Sequence, residues 1–157
     1  MSERYDVVAD SPVGWLGIRC DGTGVTGIDI LPEAPAAPPA DPTTRPVTDA
    51  LAAYFAGDRS ALDRLSVRLT GTPFQLRVWE RLRRIPPGGT LSYGALAREL
   101  GTSARAVGGA CRSNPISLAV PCHRVVAAAG LGGYSGERGG DWLEKKRWLL
   151  CHEGAVP

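Results

Sequence analysis

The sequence is poor in the residues that build metal and redox centres. It holds two histidines, His123 and His152, and four cysteines, Cys20, Cys111, Cys122 and Cys151. No two cysteines stand in CxxC spacing, which argues against a redox dithiol or a zinc knuckle. A four-ligand zinc site would have to gather widely scattered residues, so no metal and no cofactor is expected. No apolar run approaches the roughly 20 residues of a membrane span. The opening Met1-Ser2-Glu3-Arg4-Tyr5-Asp6 lacks the basic-then-apolar pattern of a secretory signal. The expectation is a cytoplasmic protein with reduced thiols and no membrane contact.

What is present is an ordinary globular composition, 43% apolar and 22% charged in 157 residues. That is room for one domain, or for two small ones sharing a core. The formal charge of +2 hides an asymmetry. Residues 1–68 carry 6 Lys/Arg against 10 Asp/Glu, and residues 69–157 carry 12 against 6. The basic C-terminal half suits an anionic partner, although a solvated basic face has the same composition.

Between Tyr5 and Ile30 the chain reads as short strands. Gly14 to Cys20 ends at the turn Asp21-Gly22, and Val25 to Ile30 places its β-branched residues on one face, which predicts a hairpin. Residues 32–46 hold six prolines, so they predict a loop or partly disordered arm. Val47, Ala50, Leu51, Tyr54 and Phe55 have helical spacing before Gly57. Leu65 to Leu69 suggests one more strand.

A new pattern begins at Thr72-Pro73, an N-cap followed by proline at the first helical position. Phe74, Val78, Leu82 and Ile85 then share a face up to Pro86-Pro87-Gly88-Gly89, and a boundary near residue 70 divides 1–70 from 71–157. Ser92 to Leu100, capped by Ser92 and Gly101, and Ser103 to Arg112 read as a helix-turn-helix. The second helix carries Gly108-Gly109, and each glycine disfavours a helix by about 1 kcal/mol relative to alanine. Such a pair is tolerated where something approaches the backbone closely, either a neighbouring helix or DNA. The strand-loop segment from Val125 through Tyr134-Ser135, followed by a helix from about Asp141 to His152, completes a winged DNA-binding layout.

The most informative stretch is Asn114-Pro115-Ile116-Ser117-Leu118-Ala119-Val120-Pro121-Cys122-His123-Arg124-Val125. A thiol is a weak nucleophile until it ionises, and a nearby cation or base raises its thiolate fraction. His123 and Arg124 offer both, yet neighbours in an extended segment face opposite ways. By itself the Cys-His step is weak and favours a packing cysteine over a nucleophile.

Pro121-Cys122-His123-Arg124-Val125 resembles the signature of the O6-alkylguanine-DNA alkyltransferases. Four further stretches are similar to motifs of that family in the same order. They are Thr72 to Trp79, Ile85 to Tyr93, Ala104 to Ala110, and Leu149 to Gly154; residues before 70 match only in general shape. The resemblance implies an α/β fold. An N-terminal antiparallel sheet with a helix, ribonuclease H-like, would pack on a C-terminal winged helix-turn-helix.

The resemblance also implies transfer of an alkyl group from O6-alkylguanine, and from O4-alkylthymine, to Cys122, once per molecule. His123 would take the Cys122 proton through a water, Glu153 would orient His123, Asn114 would brace the cysteine turn, and Tyr93 would act at the flipped nucleotide. Arg105 would fill the vacated place in the duplex. Ala106, Gly108, Gly109, Arg112, Ser92 and Thr72 would meet DNA, through the minor groove. Tyr134, Ser135, Val125, Pro121 and Arg124 would surround the alkylguanine. The implied partner is double-stranded DNA carrying the lesion, met by a monomer, with clustering along DNA left open.

The chain departs from the family pattern in three places. About five residues, Glu137 to Asp141, look surplus just after the guanine-covering loop. Ser117 stands where some members have proline. The N-terminal half, with Cys20 alone and no histidine, lacks the ligands with which some members hold zinc. Three rival readings remain: a non-reacting sensor of O6-alkylguanine, whose relatives lack the cysteine; a winged-helix regulator; and a thiol hydrolase using Cys122 and His123.

Overall fold

The computed structural model describes residues 4–128, 130–131 and 140–155, which fall in two compact units. The first runs to Leu69 and also takes in Pro115–Ala119; the second comprises Thr70–Asn114 and the chain from Val120 onward. The structural division thus differs from a single cut near residue 70. A five-residue excursion from the second half of the chain packs with the first unit.

In the first unit β1 (Val7–Ala9), β2 (Trp15–Cys20) and β3 (Val25–Leu31) form an antiparallel sheet in that order. Ile18 pairs with Val7 on one side and Ile28 on the other, and all three are buried. The expected hairpin turn is fixed by Asp21, whose Oδ1 accepts from the N–H groups of Thr23 and Gly24. The helix α1 (Arg45–Phe55) buries Val47, Leu51 and Tyr54 at helical spacing and stops before Gly57, at φ +122°.

The strand expected at Leu65 to Leu69 does not form. Val67 makes one isolated parallel bridge to Val25, with Val25 N–H donating to Ser66 O and Arg68 N–H to Val25 O. Further along, the same edge of β3 is occupied by the excursion: Ile28 N–H donates to Pro115 O at 3.0 Å, and Ser117 N–H donates to Ile28 O at 3.4 Å. Two short segments share one strand edge, so neither has room to become a strand.

The second unit begins with α2 (Pro73–Leu82), whose Thr72 and Gln75 form a reciprocal capping box. The helices α3 (Tyr93–Leu100) and α4 (Ala104–Arg112) follow, with Ser92 and Ser103 as N-caps and Gly101 at φ +69° between them. Trp79 Nε1 donates to Ala110 O at 2.9 Å, tying α2 to α4. Gly71 is glycine because a Cβ there would lie 2.6 Å from the Trp79 ring. Val78, Leu82, Leu96 and Val107 are wholly buried in this core.

The strand after the helix-turn-helix is small. The pair β4 (Leu91–Ser92) and β5 (Val125–Val126) is two residues long and parallel. The last helix, α5, spans Gly140–His152. No described helix is long and apolar enough to cross a membrane.

Candidate active site

Cys122 opens a single 3-10 turn, Cys122–Arg124, that leads into β5. Its N–H donates to Val120 O at 2.8 Å across Pro121, which has φ −82° and ψ 69°. That is an inverse γ-turn, to which the proline ring restricts the backbone well. Val120 O also accepts from Asn114 Nδ2 at 2.8 Å, so Asn114 clamps the carbonyl that sets the cysteine turn. Cys122 as a whole is 4% exposed. Burial pushes its pKa up, while a hydrogen bond from Asn114 and the Lys146 charge pull the other way.

The next two residues are buried as an ion network. His123 Nε2 lies 2.9 Å from Glu153 Oε2. Arg124 grips both oxygens of the same carboxylate, Nε to Oε1 at 2.8 Å and Nη2 to Oε2 at 3.0 Å. Its remaining arm, Nη1, donates to Ile85 O at 2.6 Å. Burial acts to raise the Glu153 pKa, but His123 and Arg124 outweigh it and hold the carboxyl far below its ordinary range. Burial drives the His123 pKa down, against the pull of Glu153. An ionised Glu153 therefore faces a neutral imidazole whose proton sits on Nε2. His123 Nδ1, buried without a hydrogen-bond partner among the described residues, is then the free basic nitrogen. Arg124 is thus committed to Glu153 and the Ile85 carbonyl.

Lys146 is the functional candidate that the sequence reading passed over. It is wholly buried in α5, donates from Nζ to Val125 O at 2.7 Å, and stands 5.7 Å from the centre of the half-buried Tyr93 ring. Burial lowers its pKa to about 8, opposed by the thiols of Cys122 and Cys111. Cys111 is itself buried, and desolvation raises its pKa. The signal was present in the sequence: Trp142, Lys146 and Leu149 share one helical stripe, and a lysine on an apolar stripe is a charge in need of a reason.

The remaining expected residues lie apart from this cluster. Arg105 and Arg112 project from α4, exposed, and neither has an ion pair or hydrogen bond among the described residues. A Cβ built on Gly108 or Gly109 would meet nothing within 4 Å. No other helix among the described residues comes within 4 Å of either added Cβ, and the half-exposed Ala106 lies on the same helix. The hydroxyls of Ser92 and Thr72 accept capping hydrogen bonds and keep their hydrogens for a partner. Pro121 and Val125 are buried beside Cys122 in the chain. Tyr134 and Ser135, like residues 137–139 of the surplus segment, lie outside the described residues.

Comparison with known proteins matches residues 73–155 to the family model described as 6-O-methylguanine DNA methyltransferase, DNA binding domain. A methylated-DNA–protein-cysteine methyltransferase of Salmonella typhimurium is 50% identical over 111 residues, 69% of this chain and 62% of that protein. The chain thus covers less than two thirds of that relative's length. A Thermus thermophilus DNA base-flipping protein is 44% identical over 150 residues, 93% of this chain and 97% of its own. The solved structure of Mycobacterium tuberculosis OGT in complex with DNA superposes with a TM-score of 0.76 at 38% identity, covering 94% of this chain and 91% of that one.

Proposed function

The chain belongs to the 6-O-methylguanine DNA methyltransferase family, and from that membership we propose that it repairs O6-alkylguanine in duplex DNA by moving the alkyl group onto Cys122. The observation that carries the proposal is the buried dyad one residue past the thiol. His123 holds its Nε2 hydrogen on an ionised Glu153, 2.9 Å away, and leaves Nδ1 free to accept a proton. This is the nucleophile, base and orienter arrangement of covalent catalysis.

The chemistry balances as a displacement at the alkyl carbon. Cys122 gives its proton, through a water, toward His123 Nδ1. The thiolate forms the S–C bond as the C–O6 bond breaks, and the departing guanine takes a proton from a donor at the site, for which Tyr93 is the candidate. A donor placed where that negative charge develops lowers the barrier. The product is a thioether, and nothing in the chain reverses it, so each molecule acts once.

The lesion lies within stacked bases and has to be turned out of the helix, at a few kcal/mol, least for a damaged and weakly paired base. The α4 surface supports this step. Ala106, Gly108 and Gly109 allow close approach to a groove wall, which we assign to the minor groove, and Arg105 is free to enter the stack. A monomer suffices for every step.

The deciding experiment is incubation with a duplex bearing one O6-methylguanine, followed by intact and peptide mass measurement. One methyl on Cys122, saturating at one per protein and absent from Cys122→Ser, is the expected result. Tight lesion binding with no mass gain would instead place the protein with a non-reacting base-flipping binder. An O4-methylthymine duplex run in parallel defines the substrate range.

A further inference from the structure

Leu118 is the only non-glycine residue with positive φ among the described residues, at +74°, and it stands four positions before the acceptor cysteine. Ala119 N–H donates to Ser117 O at 2.9 Å across it. A two-residue hydrogen bond around a positive-φ centre is the rare, strained form of the γ-turn. The backbone of an L-residue disfavours this region by roughly fivefold or more in population. Such a conformation persists only where its surroundings over-determine it. Here they do: the Leu118 side chain is 1% exposed, and the preceding residues are held on β3 by the hydrogen bonds of Pro115 and Ser117 to Ile28.

Two opposite γ-turns therefore lead to the thiol, a positive-φ turn at Leu118 and the inverse turn at Pro121. Between them lies the Val120 carbonyl, which accepts from both Asn114 and Cys122. The direction in which the chain leaves Ala119 decides whether that carbonyl reaches both donors. A chain relaxed to negative φ at 118 would leave in another direction and could not keep the paired hydrogen bonds.

We propose that Leu118 is a positioning residue for alkyl transfer, its left-handed turn setting the Val120 carbonyl and thereby the place of the Cys122 thiol. This rests on the alkyl-transfer reading of Cys122, so the wild-type protein is the first arm of its test. Absence of transfer in the wild type refutes that reading, whereas transfer in the wild type makes the variants decisive.

The test is the pair Leu118→Gly and Leu118→Ala. Both remove the buried side chain, but glycine occupies positive φ freely while alanine does not. Single-turnover methyl transfer is measured at saturating O6-methylguanine duplex, with duplex affinity and thermal midpoint alongside. Alanine held at positive φ carries a native-state strain that glycine escapes, so glycine has the equal or higher midpoint, and a purely structural role predicts equal rates once both variants are fully folded. Positioning predicts that, well below both midpoints, Leu118→Gly transfers at least about fivefold faster than Leu118→Ala at saturation, at equal affinity. Equal rates, or a faster alanine variant, overturn the proposal. Should the truncations not fold, Leu118→Met and Leu118→Val keep most of the packing. Methionine is then expected to react about fivefold faster than valine, whose branched Cβ resists positive φ, and equal rates again overturn it.

Discussion

Glu153 has a carboxylate surrounded by three donors and no water-facing edge. The Arg124 grip, with the Ile85 carbonyl behind it, makes Glu153 an anion under all ordinary conditions, and that anion fixes the tautomer of His123. Removing one partner of a buried charged pair typically destabilises by about 3–5 kcal/mol. Arg124→Leu is therefore expected to lower the urea midpoint more than Glu153→Gln, because it leaves the carboxylate buried with one of its three donors. If the two losses are equal, Arg124 is not what supports the carboxylate.

The same two residues give acid sensitivity. His123 and Glu153 both have folded pKa values below their unfolded ones. The unfolded chain thus binds more protons, and stability falls with falling pH. The fall begins below about pH 6.5, where a free histidine charges, and deepens below about 4.5, where a free glutamate protonates. Urea titrations between pH 8 and 4 should show this, and Glu153→Gln should remove the lower part.

Lys146 acts at the alkaline end. Its folded pKa of about 8 lies below the ordinary lysine value of 10.5, so the folded state sheds a proton that the unfolded state keeps. Its burial penalty is present at neutral pH and relieved as pH rises from about 8 to 10.5. The stability difference between wild type and Lys146→Met should shift in favour of wild type across that window. Because the Lys146 charge lowers the Cys122 pKa, the same variant should transfer methyl more slowly at neutral pH, and an unchanged rate would remove Lys146 from the site.

At the level of elements, α4 is built against its own stability. Two adjacent glycines in a helix that meets nothing at those positions cost about 1 kcal/mol each. Gly109→Ala should accordingly raise stability by about 1 kcal/mol, since its Cβ enters open space. It should at the same time weaken duplex binding, by crowding the groove wall. A variant both more stable and equally tight on DNA would show that the surface faces solvent only. The capping box of α2 makes the opposite case: Thr72→Ala should lose about 1 kcal/mol, read from thermal melts, because Thr72 and Gln75 satisfy each other's backbone donors.

At the level of the whole molecule, the five residues Pro115–Ala119 decide how far the second unit can act alone. Their hydrogen-bond partners are on β3, in the first unit. A fragment beginning at Thr70 keeps the whole ion network and the helix-turn-helix but loses the partner of the segment leading to Cys122. It is expected to bind undamaged duplex nearly as well as the full chain and to transfer methyl much more slowly. Duplex affinity of either form should fall steeply with added salt, because the contacts come from the basic half of the chain and displace counterions from phosphates.

Local signals along the chain were enough for the helices and for the family. Caps, glycine stops and periodic apolar faces placed α1, α3 and α4 within two residues and α2 within three, because those signals act over three or four neighbours in the chain. The order of five motifs pointed to the family to which the chain belongs. Only the tertiary structure decided what depends on distant partners. It gave Leu65 to Leu69 a single bridge instead of a strand, since the β3 edge is shared. It paired Arg124 with Glu153, and revealed Lys146 as a buried cation. It also left the added Cβ positions of Gly108 and Gly109 clear of every described side chain. A side chain's task follows from which atoms come within a few ångströms of it, and residues some thirty positions apart, such as His123 and Glu153, meet only after the chain has folded.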